Sequence, residues 1–308
     1  MRVHLLLLLI NPLIVLGICL TGASLQAADR VWKDATGQNE VRAELVSYKN
    51  GSVLLRRENG IVIVVSLASL SPEDQEFITG TRPTDSAVVI PAPVVTVEAL
   101  AMMGELEEIR LDLPKPMFIS GPALEIPNLE RWDISKRIKS FMALKGTVNI
   151  AKGKKVTSSD PAPIIGTLEL VTDGDADGAD GNFVELMPGK QWVQIDLEAT
   201  HTLQKIAVWH YHKAAVAYND VIIQVSDDPQ FKTGVTTLWN ADHDNTSGMG
   251  KGKDPAYIET NYGRIIEGRF AKARYLRLWS NGNSANDMNH YVEVQVFAVP
   301  AQKQEAVK

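Results

Sequence analysis

The chain has 308 residues, of which 45% are hydrophobic and 22% are charged. This composition is typical of a globular protein, and the length is sufficient for two ordinary domains. The formal net charge of −6 argues against nucleic acid as a partner, because nucleic-acid binding needs a basic surface. It also disfavours an acidic polysaccharide held by overall charge alone.

Residues 1–28 have the pattern of a secretory signal peptide. Arg2 supplies a positive start, residues 5–20 are predominantly apolar, and the small residues Ala27 and Ala28 are candidate cleavage positions. The apolar run is shorter than the roughly 20 residues that span a bilayer, so we expect no transmembrane segment after the signal is removed. An uncleaved anchor is the alternative. The predicted location is therefore secreted, periplasmic or at the cell surface.

The chain has one cysteine, Cys19, and it lies inside this segment. A lipid attached to Cys19 is disfavoured because the bulky Ile18 precedes it. Cleavage near Ala28 leaves no cysteine and therefore no disulfide, so the mature fold is expected to depend on core packing or metal.

Residues 29–80 are predicted to form a small β-meander. Strand-like runs at 41–48, 52–57 and 61–67 are separated by Asn-Gly pairs, which readily adopt the positive φ of hairpin turns. A short helix is predicted to follow, with Ser71 as its N-cap and Pro72 at the first helical position.

Three parts of this unit, residues 30–37, the meander and residues 70–78, resemble the Sla1 homology domain 1, a small SH3-like barrel. The resemblance implies that fold and a role in binding a protein or peptide partner. Eukaryotic members bind Asn-Pro-Phe peptides in endocytic adaptors, a role that a signal peptide would exclude for this copy. Trp32 and Tyr48 are expected either to line a peptide groove or to pack in the barrel.

Residues 81–145 are predicted to be a Pro-rich connector. Seven prolines interrupt its apolar runs and disfavour long helices and central strands. They are Pro83, Pro91, Pro93, Pro114, Pro116, Pro122 and Pro127. One short amphipathic helix is predicted at 98–113, and residues 117–145 are apolar enough to lie along the following domain.

Residues 146–299 are predicted to form a two-layer β-sandwich. Apolar residues alternate with polar ones at 192–197, 273–279 and 291–297, which is typical of strands with one buried face. The intervening residues are predicted to face outward: Gln194, Asp196, Arg277 and Glu293. Asp196 and Arg277 are expected to pair across neighbouring strands.

Five segments in order resemble the discoidin domains (coagulation factor 5/8 type C, galactose-binding-like). They are residues 149–159, 171–175, 192–197, 221–228, and the pair 273–278 and 292–297. The resemblance implies a jelly-roll sandwich whose loops bind carbohydrate or cell-surface glycan. Residues 300–308 are predicted to be a C-terminal tail. The predicted fold class of the whole chain is all-β.

The acidic loop, residues 173–180, begins like a calcium loop, with Asp at three alternate positions and then Gly178. It fails as an EF-hand because Val184 occupies the position of the bidentate Glu. The discoidin resemblance implies a different, structural calcium site made by Asp173, Asp175 and Glu293. A solvated acidic turn without metal is the alternative.

Candidate ligand-binding residues are concentrated after the strand that begins at Lys205 and in two polar loops, residues 240–254 and 280–290. They are His210, Tyr211, His212, Asn240, Asp242, His243, Asn245, Asn281, Asn283, Asn289 and His290. An aromatic ring beside imidazoles suits a sugar ring and its hydroxyls. The alternatives are buried histidines with ordinary Asn and Asp caps, or a zinc site on His210 and His212.

The sequence has no serine-nucleophile elbow, zinc-protease helix or phosphate-binding loop. We therefore expect a secreted non-catalytic binding protein, although hydrolases that use two carboxylates leave no motif. The alternative is a scaffold protein whose two modules both bind polypeptide.

Overall fold

The computed structural model describes residues 30–49, 52–57, 62–80, 104–117, 124–133, 137–179 and 181–300. The predicted signal peptide and both Asn-Gly turns lie outside these ranges. Within them the regular structure is almost entirely β, so the all-β prediction is confirmed. No helix in the described ranges is long and apolar enough to cross a membrane.

The N-terminal module is an antiparallel meander in which each strand pairs with the next along the chain. Its strands are β1 (Arg30–Lys33), β2 (Glu40–Lys49), β3 (Ser52–Arg56) and β4 (Val62–Ser66). A bridge between Asp34 and Leu70 joins the end of β1 to the segment after β4. The sheet therefore curls back on itself, as the SH3-like prediction requires.

One face of the meander encloses a small core centred on Trp32, which is fully buried. Its indole nitrogen donates a hydrogen bond to the Ala43 carbonyl at 2.8 Å. Trp32 is therefore a core residue, and Tyr48 packs against the same cluster from a partly buried position. This placement favours packing over a peptide groove for both residues.

Helix α1 (Pro72–Gly80) begins where the sequence predicted it. The Ser71 hydroxyl accepts a hydrogen bond from the Asp74 backbone N–H at 3.3 Å and donates one to the Asp74 carboxylate at 2.9 Å. Asp74 also accepts from the Lys33 backbone at 2.8 Å and pairs with Arg30 at 2.8 Å. The cap residue pair thus ties the helix to β1.

The C-terminal sandwich contains two antiparallel sheets around one core. Their strands are β7 (Val148–Asn149), β8 (Val156–Ser158), β10 (Lys190–Thr202), β11 (Lys205–Trp209), β12 (Ile222–Ser226), β13 (Thr236–Asn240), β14 (Arg264–Glu267), β15 (Lys272–Asn281) and β17 (Glu293–Ala298). The five-stranded sheet has the order β13-β12-β15-β10-β8, and the four-stranded sheet has the order β14-β11-β17-β7. A separate pair at one end consists of β9 (Val184–Leu186) and β16 (Asn289–Tyr291).

The connector contributes an antiparallel pair of strands, β5 (Leu106–Arg110) and β6 (Ser140–Leu144). The helix predicted at 98–113 is therefore wrong over 106–110. Phe141 meets Phe297 at a ring distance of 5.1 Å, and Ile109 packs against the same cluster on the outer face of the four-stranded sheet. An apolar strand is favoured there because that face offers it burial.

Residues after 117 also pack on the sandwich, as the sequence predicted. Leu129 bridges to Ala256, and the Glu130 carboxylate receives two hydrogen bonds from Arg264, both at 2.9 Å. The predicted division between connector and sandwich is thus crossed by many contacts.

The predicted ion pair between Asp196 and Arg277 does not form. Asp196 instead pairs with Arg274 at 2.7 Å. Arg277 lies opposite Gln194 in the register and donates to its side-chain oxygen at 2.6 Å. Its guanidinium is sandwiched between rings, 4.3 Å from Trp192 and 4.2 Å from Phe231, because a planar cation stacks well on aromatic faces.

Candidate functional site

A cleft of about 290 Å³ opens at the end of the sandwich where β9 pairs with β16. Strand β9 contributes Glu185, and β16 contributes His290 directly opposite it in the register. The segment after β11 and the loop before β16 complete the walls. The lining residues are Phe183, Glu185, Tyr211, Ala214, Val216, Tyr218, Asn283, Ala285, Asn286 and His290.

Three rings form one wall of the cleft. Tyr211 lies 5.0 Å from Phe183 and 5.8 Å from His290, measured between ring centroids. Phe183 is mostly buried, whereas Tyr211 is half-buried. Tyr211 therefore presents ring surface to the cleft while its neighbours hold it in place.

A chain of hydrogen bonds runs behind this wall. The Glu185 Oε2 lies 2.9 Å from His290 Nε2, and His290 Nδ1 lies 2.7 Å from the Tyr218 hydroxyl. Burial lowers the pKa of His290, and burial raises the pKa of Tyr218 well above its usual value. Both His290 and Tyr218 are therefore neutral near pH 7.

The two asparagines in the cleft have different roles. Asn283 is buried and uses its side chain within its own loop, donating to Asn286 Oδ1 at 2.8 Å and to the Met288 carbonyl at 2.9 Å. Asn286 is exposed, and its amide nitrogen makes no hydrogen bond within the described structure. Asn283 shapes the loop, and Asn286 offers a donor to solvent.

The structure places His210 and His212 in the interior, where a ligand in the cleft does not reach them. Both are fully buried. His210 Nδ1 lies 2.7 Å from the Glu259 carboxylate, and His212 Nε2 lies 2.8 Å from the Ala176 carbonyl. The two imidazoles contact different groups, so the arrangement does not favour the zinc alternative.

The loop at 240–254 is organised by its own hydrogen bonds and does not line the cleft. Asn240 donates to the Gly250 carbonyl at 3.0 Å, and Asn245 Oδ1 accepts from the Gly250 N–H at 2.6 Å. Buried Asp242 accepts from Asn245, Thr246 and Ser247, and His243 is exposed.

Two further predicted residues, Asn281 and Asn289, also make structural contacts. Asn281 donates to Asp220 at 2.8 Å. Asn289 is buried and donates to the Met187 and Gly189 carbonyls, both at 2.9 Å. Of the predicted ligand-binding residues, the cleft thus brings together Tyr211, Asn283 and His290.

Carboxylate oxygens of Asp220, Asp242 and Asp244 lie within 4.8 Å of one another. Both oxygens of Asp242 accept hydrogen bonds from the loop that follows it, and Asp220 Oδ2 accepts from Thr246 at 2.8 Å. These bonds account for the placement of the two buried carboxylates without a ligand.

The predicted calcium residues lie where the acidic loop contacts the last strand, β17. Glu293 is fully buried and its Oε2 accepts from the Gly174 N–H at 3.3 Å, while its Oε1 has no hydrogen-bond partner. Burial, with the charge of Asp173 nearby, raises the pKa of Glu293 to about 8. An unpartnered buried carboxylate oxygen beside a second carboxylate fits a hard divalent cation.

Asp175 fits the cation site less well than its two companions. Its Oδ1 accepts from the Asp177 N–H at 2.9 Å and its Oδ2 accepts from Asn182 at 3.0 Å. The acidic loop is fastened to the same end of the sandwich by His212, through the Ala176 carbonyl. The acidic loop and the cleft therefore share one end of the fold.

Sequence reasoning missed Phe183, Glu185 and Tyr218 as cleft residues. Glu185 and Phe183 follow the acidic loop, more than 100 residues before His290, and only the pairing of β9 with β16 brings them together. Tyr218 lies in an irregular segment with no periodic pattern. The one available signal was Phe183, an aromatic residue that follows the acidic loop after Gly181 and Asn182.

The fold and the cleft define a class, a two-module β protein with a ligand-sized cleft on its larger module. Residues 25–84 match a known family, SLA1 homology domain 1 (SHD1), which confirms the resemblance for the N-terminal module. The chain is 37% identical over 68 residues to the actin cytoskeleton-regulatory complex protein SLA1 of Mycosarcoma maydis. That match covers 20% of this chain and 6% of the relative, so the chain spans a small fraction of the relative's length.

Solved structures similar to the chain include a family 89 glycoside hydrolase from Clostridium perfringens, at 22% identity and a TM-score of 0.37, covering 49% of this chain and 14% of that one. A chitosan-binding module of a chitosanase/glucanase from Paenibacillus sp. IK-5 has 20% identity and a TM-score of 0.33, covering 48% and 98%. The lectin domain of lectinolysin, solved with Lewis B antigen, has 19% identity and a TM-score of 0.36, covering 49% and 96%.

Proposed function

We propose that this protein is a secreted, non-catalytic binding protein that attaches to carbohydrate through the cleft on its sandwich, with the SHD1 module binding a protein partner. The observation that carries the proposal is the cleft itself. It combines the ring of Tyr211 with the carboxylate of Glu185 and the exposed amide nitrogen of Asn286.

These groups match the two surfaces of a sugar. The axial hydrogens of a pyranose make an apolar patch that stacks on an aromatic ring, and Tyr211 is held for that contact by Phe183 and His290. The hydroxyls need acceptors and donors at the rim, which Glu185 and Asn286 supply. The cleft is also of ligand size, at about 290 Å³.

Structural calcium is part of the proposal, held by Glu293 and Asp173, with Asp175 as the weaker candidate. The cation would supply positive charge to the unpartnered Glu293 oxygen and hold the acidic loop against the sheet. Because Phe183 follows the acidic loop after only Gly181 and Asn182, a fixed loop would help to keep the aromatic wall in position. The proposal gives the calcium a structural role and no catalytic one.

Glycan-array screening followed by titration calorimetry with the full chain tests the carbohydrate function. Tyr211→Ala is expected to weaken binding at least about tenfold, since a lost aromatic contact is worth about 1.4 kcal/mol or more. Tyr275→Ala is the matched control, because Tyr275 lies on β15 outside the cleft and stacks on Arg274 at 5.0 Å. Turnover of any bound glycan would contradict the non-catalytic part.

The alternative is a scaffold protein without sugar binding, and one observation favours it. Phe77 on α1 is 40% exposed, and the Arg30 guanidinium lies 4.4 Å from its ring above a shallow groove that also includes Glu73 and Glu76. An exposed aromatic ring beside a cation suits a polypeptide partner. This alternative would be favoured if the chain bound no glycan on the array and bound a specific protein partner whose binding was lost in Phe77→Ala.

A further inference from the structure

The charge of the cleft limits which sugar it accepts. Among the described residues that line it there is one carboxylate, Glu185, and no lysine or arginine. Lys213 directly precedes the lining residue Ala214, and it is ion-paired with Asp177. A carboxylate or sulfate on the ligand would therefore lie beside Glu185 with no positive side chain to compensate it.

The hydrogen-bond chain behind the cleft gives Glu185 a fixed orientation. An ionised carboxylate only accepts, so His290 Nε2 carries the proton and donates to Glu185 Oε2 at 2.9 Å. In the neutral imidazole Nδ1 is then the acceptor, and it receives the Tyr218 hydroxyl proton at 2.7 Å. Tyr218 is 1% exposed and stacked on His210 at 4.5 Å, which leaves the chain little freedom to move.

This direction of donation leaves one specific atom for a ligand. Glu185 Oε2 is occupied by His290, and Oε1 makes no hydrogen bond within the described structure. The Glu185 side chain is 17% exposed, so Oε1 is a partly desolvated acceptor on the cleft wall. Such an atom interacts most strongly with a charged donor, because charge-assisted hydrogen bonds are roughly twice as strong as neutral ones.

We propose that the cleft selects an amino sugar, a saccharide whose ammonium group pairs with Glu185 Oε1, with His290 and Tyr218 as positioning residues. The proposal depends on the carbohydrate-binding function above. The ammonium supplies the charge that the cleft lacks, and Tyr211 stacks on the ring that carries it. N-acetylation removes that charge, and a uronic acid reverses it.

Titration calorimetry on the full chain at pH 6 compares three hexasaccharides: glucosamine, N-acetylglucosamine and galacturonate. We expect the glucosamine hexamer to bind about tenfold or more tighter than the N-acetylated one, and galacturonate to bind most weakly. The preference is expected to persist in 0.5 M NaCl, since a partly buried pair is screened less than surface charge.

Glu185→Gln keeps the shape of the side chain and removes its charge. The preference for glucosamine is expected to fall to within about twofold, while N-acetylglucosamine binding stays within about threefold of the unmodified protein. Tyr218→Phe removes the last hydrogen bond of the chain and is expected to reduce the preference in part. Glu198→Gln is the control, since Glu198 pairs with Lys154 away from the cleft. Thermal unfolding checks the fold of each variant.

Failure of the amino-sugar proposal and failure of the carbohydrate function give different results. Equal binding of the glucosamine and N-acetylglucosamine hexamers, or tighter binding of galacturonate, overturns the amino-sugar proposal and leaves carbohydrate binding standing. A preference that survives Glu185→Gln overturns the role of Glu185. Absence of binding to all three hexamers and to every other glycan on the array overturns the carbohydrate function itself. If Glu185→Gln does not fold, the three-sugar comparison and Tyr218→Phe still decide.

Discussion

Burial makes the environment of Glu293 unfavourable to a negative charge and raises the pKa of its carboxyl to about 8. Glu293 lies on the last strand of the sandwich with no solvent exposure, and one of its oxygens has no partner. Leaving a buried polar atom unpaired costs about 1–3 kcal/mol. A cation shared with Asp173 would remove that cost, which makes this residue the most direct test of the calcium proposal.

Calcium is therefore expected to raise the thermal unfolding midpoint of the full chain, and EDTA to reverse the shift, because a ligand that binds only the folded state stabilises it. Glu293→Gln is expected to abolish the calcium effect. It should also leave the calcium-free protein as stable or slightly more stable, because the raised pKa of Glu293, about 8, means that its carboxyl must take up a proton on folding at pH 7, whereas the amide need not. Differential scanning calorimetry at pH 7 measures both effects.

Glu198→Gln is the matched control for that measurement, because it removes an exposed carboxylate of the same size. Its calcium shift is expected to equal that of the unmodified protein. An unchanged calcium shift in Glu293→Gln, or none in either protein, would contradict calcium binding at this position.

At the scale of elements, β5 and β6 are part of the sandwich in packing terms. Phe141 contacts Phe297, and the Leu144 N–H donates to the buried Gln204 side chain at 2.9 Å. The four-stranded sheet is thus covered on its outer face as well as its inner face. This explains why Trp209 and Phe297 are buried although they face away from the main core.

Phe141→Ala is expected to destabilise the sandwich by about 2–4 kcal/mol, somewhat less than the roughly 3–5 kcal/mol of a fully buried aromatic side chain, because Phe141 is partly exposed. Urea unfolding followed by tryptophan fluorescence measures it. Met117→Ala, at a side chain that is 57% exposed, should change stability by less than about 0.5 kcal/mol. Equal effects of the two substitutions would mean that the β5–β6 pair is not packed on the sandwich as described.

The sequence predicted the strands at 192–197 and 273–279 because alternation is a local property that one buried face imposes. It mistook 106–110 for helix because nothing local reveals that the partner strand begins at Ser140. The predicted pairing of Asp196 with Arg277 was wrong for a similar reason. Two arginines on β15 were available, and the register together with the stacking of Arg277 on Trp192 decided between them.

The cleft was predictable only in part, for a reason of the same kind. Tyr211 and His290 are aromatic or imidazole residues near strand ends, and that signal identified them. The same signal selected His210 and His212, because sequence does not reveal which side of the chain faces the core. Glu185 carried no signal, since its importance comes from its position opposite His290 in the register.

At the scale of the molecule, contacts between the connector and the sandwich continue well before residue 146. Asn261 donates to the Pro114 carbonyl at 2.9 Å, and Asn128 donates to the Ala241 carbonyl at 2.6 Å. Both bonds join the connector to loops of the sandwich. The unit that supports the cleft should therefore be larger than residues 146–299, the range that the alternation pattern defines.

Two truncations test where that unit begins. A fragment of residues 104–300 is expected to bind glycan with the affinity of the full chain, because it keeps both faces of the four-stranded sheet covered. A fragment of residues 146–300 exposes the apolar face that Ile109 and Phe141 cover. It is expected to lose several kcal/mol of stability or to aggregate, since large exposed apolar patches promote association. Equal stability of the two fragments in urea would contradict the predicted role of the connector. Glycan binding by the longer fragment, which lacks the SHD1 module, would assign that binding to the sandwich.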